Sequence, residues 1–203
     1  MTTAHAIFIN CPFDEGYKSS FEAIIFTIVV SGYRARCALE ENNAGDIRFD
    51  KLCRIIRESE KSIHDLSRIE LSAGFPRFNM PFELGLFMGA QRFGGSRQRA
   101  KTALIMVKER YRLPHYLSDL AGVDPEPHDG DPAQIIRAVR RYLSARPDGA
   151  QLPGAARMLE VFEQFKLALP ALAAAAELKP NEFDPFHDYR DYLTLLTEFL
   201  RSF

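Results

Sequence analysis

The sequence is short of the features that mark several large classes of protein. Cysteine occurs only three times, at Cys11, Cys37 and Cys53. The number is odd, the spacing is wide and no Cys-x-x-Cys pair is present, which argues against a disulfide framework and a structural zinc site. Excess charge of one sign is missing too. The chain has 26 Lys and Arg against 27 Asp and Glu, a formal net charge of −1, so no global field favours nucleic acid or an anionic membrane. No apolar run approaches the roughly 18 residues of a membrane span, and the N-terminus shows no charged-then-apolar leader. The expectation is a cytoplasmic protein with no membrane and no nucleic-acid partner. Glycine is sparse where a phosphate loop would need it: the loop 11–16 holds one, and Gly94-Gly95 follows a helix. Neither fits a Rossmann or Walker loop, so ATP or NADH chemistry of those types is not expected.

What is present is an ordinary globular composition, 46% hydrophobic and 26% charged over 203 residues, enough for one domain with an appendage. Ala6-Ile7-Phe8-Ile9-Asn10 reads as a strand, ended by the loop Cys11-Pro12-Phe13-Asp14-Glu15-Gly16. From Tyr17 to Ser31, Phe21, Ile24, Ile25, Ile28 and Val29 recur at helical spacing. Phe26 and Val30 make the other side apolar as well, so this helix is expected to be covered on more than one face. Tyr33 to Leu39 predicts a second strand. After a turn at Asn42-Asn43-Ala44-Gly45, Phe49, Leu52, Cys53 and Ile56 predict a second helix. Ser62 to Leu66 predicts a third strand, Thr102 to Val107 a buried one and Val123 to His128 a short edge strand. Ile135, Ile136, Val139, Tyr142 and Leu143 predict another helix. Alternating strands and helices with short connections define an α/β body with a parallel sheet covered on both faces.

Beyond Pro147 the pattern changes. Residues 155–169 and 187–203, the latter ending at Phe203, predict amphipathic helices, with Pro- and Ala-containing sequence between them. The division is an α/β domain over 1–146 and a helical extension over 147–203, packed on the body or, as a homo-oligomer contact, on a second subunit.

Ligands of an open parallel sheet sit beyond the carboxyl ends of the strands. The loops that converge there carry Asn10, Phe13, Asp14, Tyr17, His64, Asp65, Arg77 and Asn79, and the helix that follows them carries Glu83. In Asn79-Met80-Pro81-Phe82-Glu83-Leu84-Gly85, Asn79 is placed to cap a helix and Pro81 to sit in its first turn. Glu83 is then either a capping carboxylate or a reagent. As a reagent it would be a nucleophile, or a stabiliser of the oxocarbenium-like charge of glycosidic cleavage, with the helix N-terminus favouring its ionised form. Asp65 is either a turn carboxylate or a group that holds a ribose hydroxyl or a base. Two carboxylates at adjacent strand ends would repel unless a ligand or cation lies between them. His64 reads as a packed or turn histidine. Cys11 has no evident base, and Cys37 and Cys53 read as small core residues. His115 and His128 have acidic neighbours but no metal-ligand spacing, so no metal is expected. Arg137, Arg140 and Arg141 read as the solvated face of their helix.

Phe82-Glu83-Leu84-Gly85, preceded by a strand ending in Asp65, resembles the active-site segment of nucleoside 2-deoxyribosyltransferases. There a helix start of this type supplies a nucleophilic glutamate, and an upstream aspartate helps to bind the nucleoside. Ile7-Phe8-Ile9-Asn10-Cys11-Pro12-Phe13 is similar to their first strand and loop. Toll/interleukin-receptor (TIR) domains are similar in outline, with a flavodoxin-like sheet and a helix-start glutamate that cleaves the nicotinamide–ribose bond of NAD in bacterial defence proteins. Segments 117–122 and 127–129 resemble those of bacterial proteins that share this N-terminal region. The resemblance covers about residues 5–108. Asn79-Met80-Pro81 stands where these families have Gly-Thr before the motif, and Asp65-Leu66 where they have Asp-Gly. Arg68 and Arg77 suggest a phosphorylated ligand.

The resemblance implies a flavodoxin-like α/β fold and an N-glycosidase or glycosyltransferase acting on a nucleotide or NAD. Glu83 and Asp65 would be its catalytic pair, with NAD a substrate and not a cofactor. Asn10, Phe13, Asp14, Tyr17, His64, Arg77 and Asn79 would bind substrate. The competing implication is a non-catalytic, TIR-like nucleotide-sensing or assembly module.

Overall fold

The computed structural model describes residues 5–41, 43, 45–68, 71–72, 75–109, 115–120 and 122–202. The turn positions Asn42 and Ala44, Ala121 of the 117–122 segment, and Phe203 lie outside the described residues.

β1 (Ala6–Asn10) leads through a 3-10 turn, Glu15–Tyr17, into α1 (Lys18–Val30). β2 is shorter than its apolar sequence suggests, Arg34–Arg36, because Cys37 to Glu40 turn away, with the Glu40 N–H bonded to the Cys37 carbonyl. α2 (Arg48–Glu58) and β3 (Lys61–Asp65) follow. The connection between β3 and the next helix contains a small antiparallel ladder of β4 (Leu71–Ser72) and β5 (Phe75–Pro76). Next come α3 (Asn79–Phe93), a single turn α4 (Ser96–Arg99), β6 (Thr102–Val107), a 3-10 stretch at His115–Leu120, β7 (Glu126–Pro127) and α5 (Pro132–Leu143). α5 begins at an Asp-Pro signal: Asp131 caps it by accepting from the Ala133 N–H at 2.9 Å. α6 (Ala155–Ala175) and α7 (Tyr189–Arg201) complete the chain. α6 runs past its expected end, through Pro170, which lies on the exposed side of the helix and withdraws one donor from its ladder.

The main sheet has five strands in the order β2-β1-β3-β6-β7, every neighbouring pair parallel. That is the flavodoxin-like order, with its switch between β1 and β3. Alternation along the strands divides the core. Ile7, Ile9, Ile63 and Met106 face α1 and α5, whereas Phe8 faces α2 and α3 with Leu52, Ile55, Ile56 and Phe87.

α1 is buried without interruption from Ser20 to Ile28, since the sheet covers one side and the C-terminal helices the other. Phe26 meets Phe162 of α6, and Phe21 stacks on Phe186 and Tyr189. α6 and α7 therefore share one apolar cluster with α1 and α5. No helix among the described residues is long and apolar enough to cross a membrane.

Candidate functional site

β1 and β3 end side by side at Asn10 and His64, which are paired in register. The Asn10 amide donates to the Met80 carbonyl and to His64 Nδ1, both at 2.8 Å. One side chain thus ties two strand ends to the first turn of α3. Because Nδ1 of His64 accepts, its ring proton sits on Nε2, which is buried and finds no hydrogen-bond partner among the described residues. Phe8 and Phe87 meet the ring edge-on. Burial pushes His64 down to about 3, so the ring is neutral at physiological pH.

Those contacts fix the helix that carries Glu83. Its N-cap is Phe78, which makes no side-chain cap bond, so Asn79 is the first helical residue and not the cap. Glu83 therefore lies in the second turn. It is not a capping carboxylate: it makes no hydrogen bond or ion pair among the described residues. It belongs instead to the buried stripe Met80, Glu83, Leu84, Phe87, an i, i+3, i+4, i+7 set on the core side of α3. Only 8% of Glu83 is exposed, whereas Phe82 beside it projects outward. Desolvation raises the carboxyl to about 7, against the pull of Arg48 at the start of α2. The expectation that the helix terminus keeps this group ionised is thus reversed, because burial outweighs a dipole that fades beyond the first turn. Two large exposed side chains flank Glu83 and Arg48 in sequence, Phe82 beside Glu83 on α3 and Phe49 beside Arg48 on α2. The Phe49 and Phe82 rings lie 6.1 Å apart.

Asp65 has the opposite surroundings. Successive strand residues point to opposite faces, so it lies on the α1 side while His64 lies on the α3 side. The carboxylate is wholly buried. Oδ2 accepts from the Tyr17 hydroxyl and from His128 Nε2, the latter at 2.8 Å, and Oδ1 from the Ser67 N–H at 2.8 Å. Burial alone would raise this carboxyl, but the hydrogen bonds of His128, Ser67 and Tyr17 hold it below its ordinary value. His128 is oriented in turn: its Nδ1 accepts the Gly130 N–H at 3.0 Å, and its Nε2 also meets Ser67 Oγ at 2.7 Å. Asp129 and Gly130 both have positive φ, 52° and 75°, which turns that N–H back onto the ring.

The remaining predicted residues divide between these centres and the frame. Asp14 pairs with Arg68 and, at 2.8 Å, with Arg77, clamping the loop after β1 to both ends of the β4–β5 segment. Arg77, expected at a phosphate, is thus engaged with a carboxylate. Phe13 turns into the core against Phe21 and Phe186, with ring centroids 5.3 and 6.2 Å away. Cys11 is buried, its thiol pushed far up by desolvation and by Asp65, which excludes a resting thiolate. Asn79 is exposed.

The edge therefore gathers Asn10, His64 and Glu83 on one face of the sheet and Tyr17, Asp65, Ser67 and His128 on the other. Asp65 contributes nothing to the Glu83 shift, so the two carboxylates do not form a repelling pair. Sequence reasoning missed Arg48, Phe49, Ser67 and the bond from His128 to Asp65. The signal for Phe49 was only its place at the start of a helix, and nothing local links His128 to Asp65. Among the described residues no group of three or more His, Cys, Asp or Glu could hold a metal. No family model matches the chain, and no curated protein matches it.

Proposed function

We propose that the protein cleaves or transfers the N-glycosidic bond of a nucleotide, NAD among them, with Glu83 as the reacting carboxylate. One observation carries this reading. Glu83 occupies a core-facing position of α3 at the carboxyl edge of a parallel sheet, with no hydrogen-bond or ion-pair partner among the described residues, and the next residue back, Phe82, is exposed and paired with the exposed Phe49 ring. A carboxyl group so placed has no structural bond to make, and the burial that lifts it to about 7 costs stability when it ionises.

The chemistry follows from that setting. Glycosidic cleavage builds positive charge on the sugar, and an anion in a desolvated site stabilises that charge far more than it would in water. A substrate that brings its own positive charge, as a quaternised ring nitrogen does, lowers the Glu83 pKa on binding and supplies the anion where it is needed. The faces of Phe49 and Phe82 offer a stacking surface to a planar base. Arg68 and Arg77 would meet phosphate by exchanging Asp14 for it. Asn10 and His64 position α3, and Asp65, with Tyr17 and His128, holds the strand ends as a positioning group.

The test is incubation of the protein with NAD, NADP, nucleotides and deoxynucleosides, with free base read by chromatography. Release from one class identifies the leaving group and separates hydrolysis from transfer through the fate of the sugar. Binding without release by any of them would support the sensing module instead.

A further inference from the structure

On the side of the molecule away from Glu83, α1 ends, α6 begins and α7 finishes around a cleft of about 340 Å³, lined by Val29, Val30, Met158, Val161 and Leu200 with Pro153, Arg146 and Arg157. The volume falls at the lower end of small-ligand sites, roughly 300–1,000 Å³. Its chemistry is one-sided. Among the described residues its walls are aliphatic, Arg146 and Arg157 are the charged members of the lining, and no Asp or Glu lines it.

Arg146 is held in place by the end of α1. It reaches the Val30 carbonyl at 3.5 Å and lies against Gly32, whose φ of +80° closes the helix. A Cβ at Gly32 would stand 3.2 Å from the guanidinium, so the glycine leaves Arg146 its position. Its carboxylate neighbour, Asp148, is 3.9 Å away and exposed. Arg157 pairs with Glu160 at 3.1 Å across one exposed helical turn. Solvent-screened contacts of this kind are weak and readily exchanged for a better-placed anion.

We propose that this cleft binds a small amphipathic carboxylate, its chain against Val29, Val30, Met158, Val161 and Leu200 and its head group between Arg146 and Arg157. Guanidinium groups match a carboxylate in shape as well as charge, and the aliphatic lining gains from a chain of a few methylenes. The site is separate from the Glu83 edge and does not rest on the function proposed for it.

Octanoate is the probe, titrated calorimetrically into the full chain beside 1-octanol and inorganic phosphate. The expected result is one octanoate per chain, with octanol and phosphate each binding at least tenfold more weakly. Arg157→Glu should weaken octanoate at least tenfold, and Val30→Trp, which fills the cleft, should abolish binding. Circular dichroism and thermal melting establish that both variants are folded. Arg146→Glu is a third variant, and Arg157→Glu decides alone if loss of the Val30 contact unfolds it. The proposal is overturned by absence of octanoate binding, by equal affinity for octanol or phosphate, or by binding that survives Arg157→Glu and Val30→Trp. It is equally overturned if the wild type is a dimer in solution that Val30→Trp converts to monomer, since a second copy would then cover the cleft.

Discussion

His128 donates its Nε2–H to Oδ2 of Asp65 across 2.8 Å, joining the end of β3 to the residue that follows β7. The direction of that bond is fixed from behind, because Nδ1 already accepts the Gly130 N–H. Asp65 is thus an enclosed carboxylate whose charge depends on its neighbours. His128→Ala should cost about 3–5 kcal/mol in urea denaturation, since it strands a buried charge. Asp65→Asn should cost less, because it removes the charge together with its need for partners. The native pKa of Asp65 is depressed, so its contribution to stability is present above the unfolded value and is lost as pH falls through the native one. A loss unchanged by Asp65→Asn across that acid range would contradict the assignment.

Glu83 and His64 titrate abnormally in opposite senses, and stability measured against pH separates them. Glu83 is raised from 4.5 to about 7, so its contribution is full below 4.5 and lost as pH rises through 7. His64 is lowered from 6.5 to about 3, so its contribution is full above 6.5 and lost as pH falls towards 3. Relative to wild type, Glu83→Gln should gain stability with rising pH across that window, at about 1.4 kcal/mol per pH unit. His64→Phe should change by a similar slope of the opposite sign. Parallel pH curves for variant and wild type would remove the burial argument.

Asn10 couples the sheet to the helix that bears Glu83 through its bonds to Met80 and His64. Asn10→Leu leaves two buried acceptors without their donor, at about 1–3 kcal/mol each. Any glycosidase activity should fall through kcat more than KM, because α3 shifts with its anchor.

Phe49 and Phe82 are exposed, so their replacement by Ala should move stability by no more than about 0.5 kcal/mol. If they stack on the base, the same changes raise KM for a nucleotide several-fold and leave kcat nearly unchanged. An unchanged KM would remove the stacking role.

Much of the α/β body was legible because its signals are local. The apolar run at 6–10, the two-sided apolar pattern of 18–30 and the Asp131-Pro132 start of α5 each specify one element. The site was legible only as a set of residues near one edge. Strand alternation sends His64 and Asp65 to opposite faces, and that parity separates Glu83 from Asp65 although both lie near the same strand ends. The position of Glu83 was readable in principle, as an acidic residue three after Met80 and four before Phe87 in an apolar stripe. The partners of Asp65 and the Asp14 clamp on Arg77 were not, because those contacts join residues far apart in sequence whose types carry no mark of each other. The helix expected over 155–169 continues through Pro170 to Ala175, and propensity carries no information on which side of a helix faces solvent.

The central claim is that Glu83 is a reagent. Its most direct test is the rate of base release from a saturating nucleotide panel, NAD included, by wild type and by Glu83→Gln, with folding of the variant checked by thermal melting. The account predicts release by wild type and a loss of at least a hundredfold in a variant as stable as its parent or more so above pH 7. Release that persists in Glu83→Gln, or its absence from wild type with every nucleotide that binds, would contradict it.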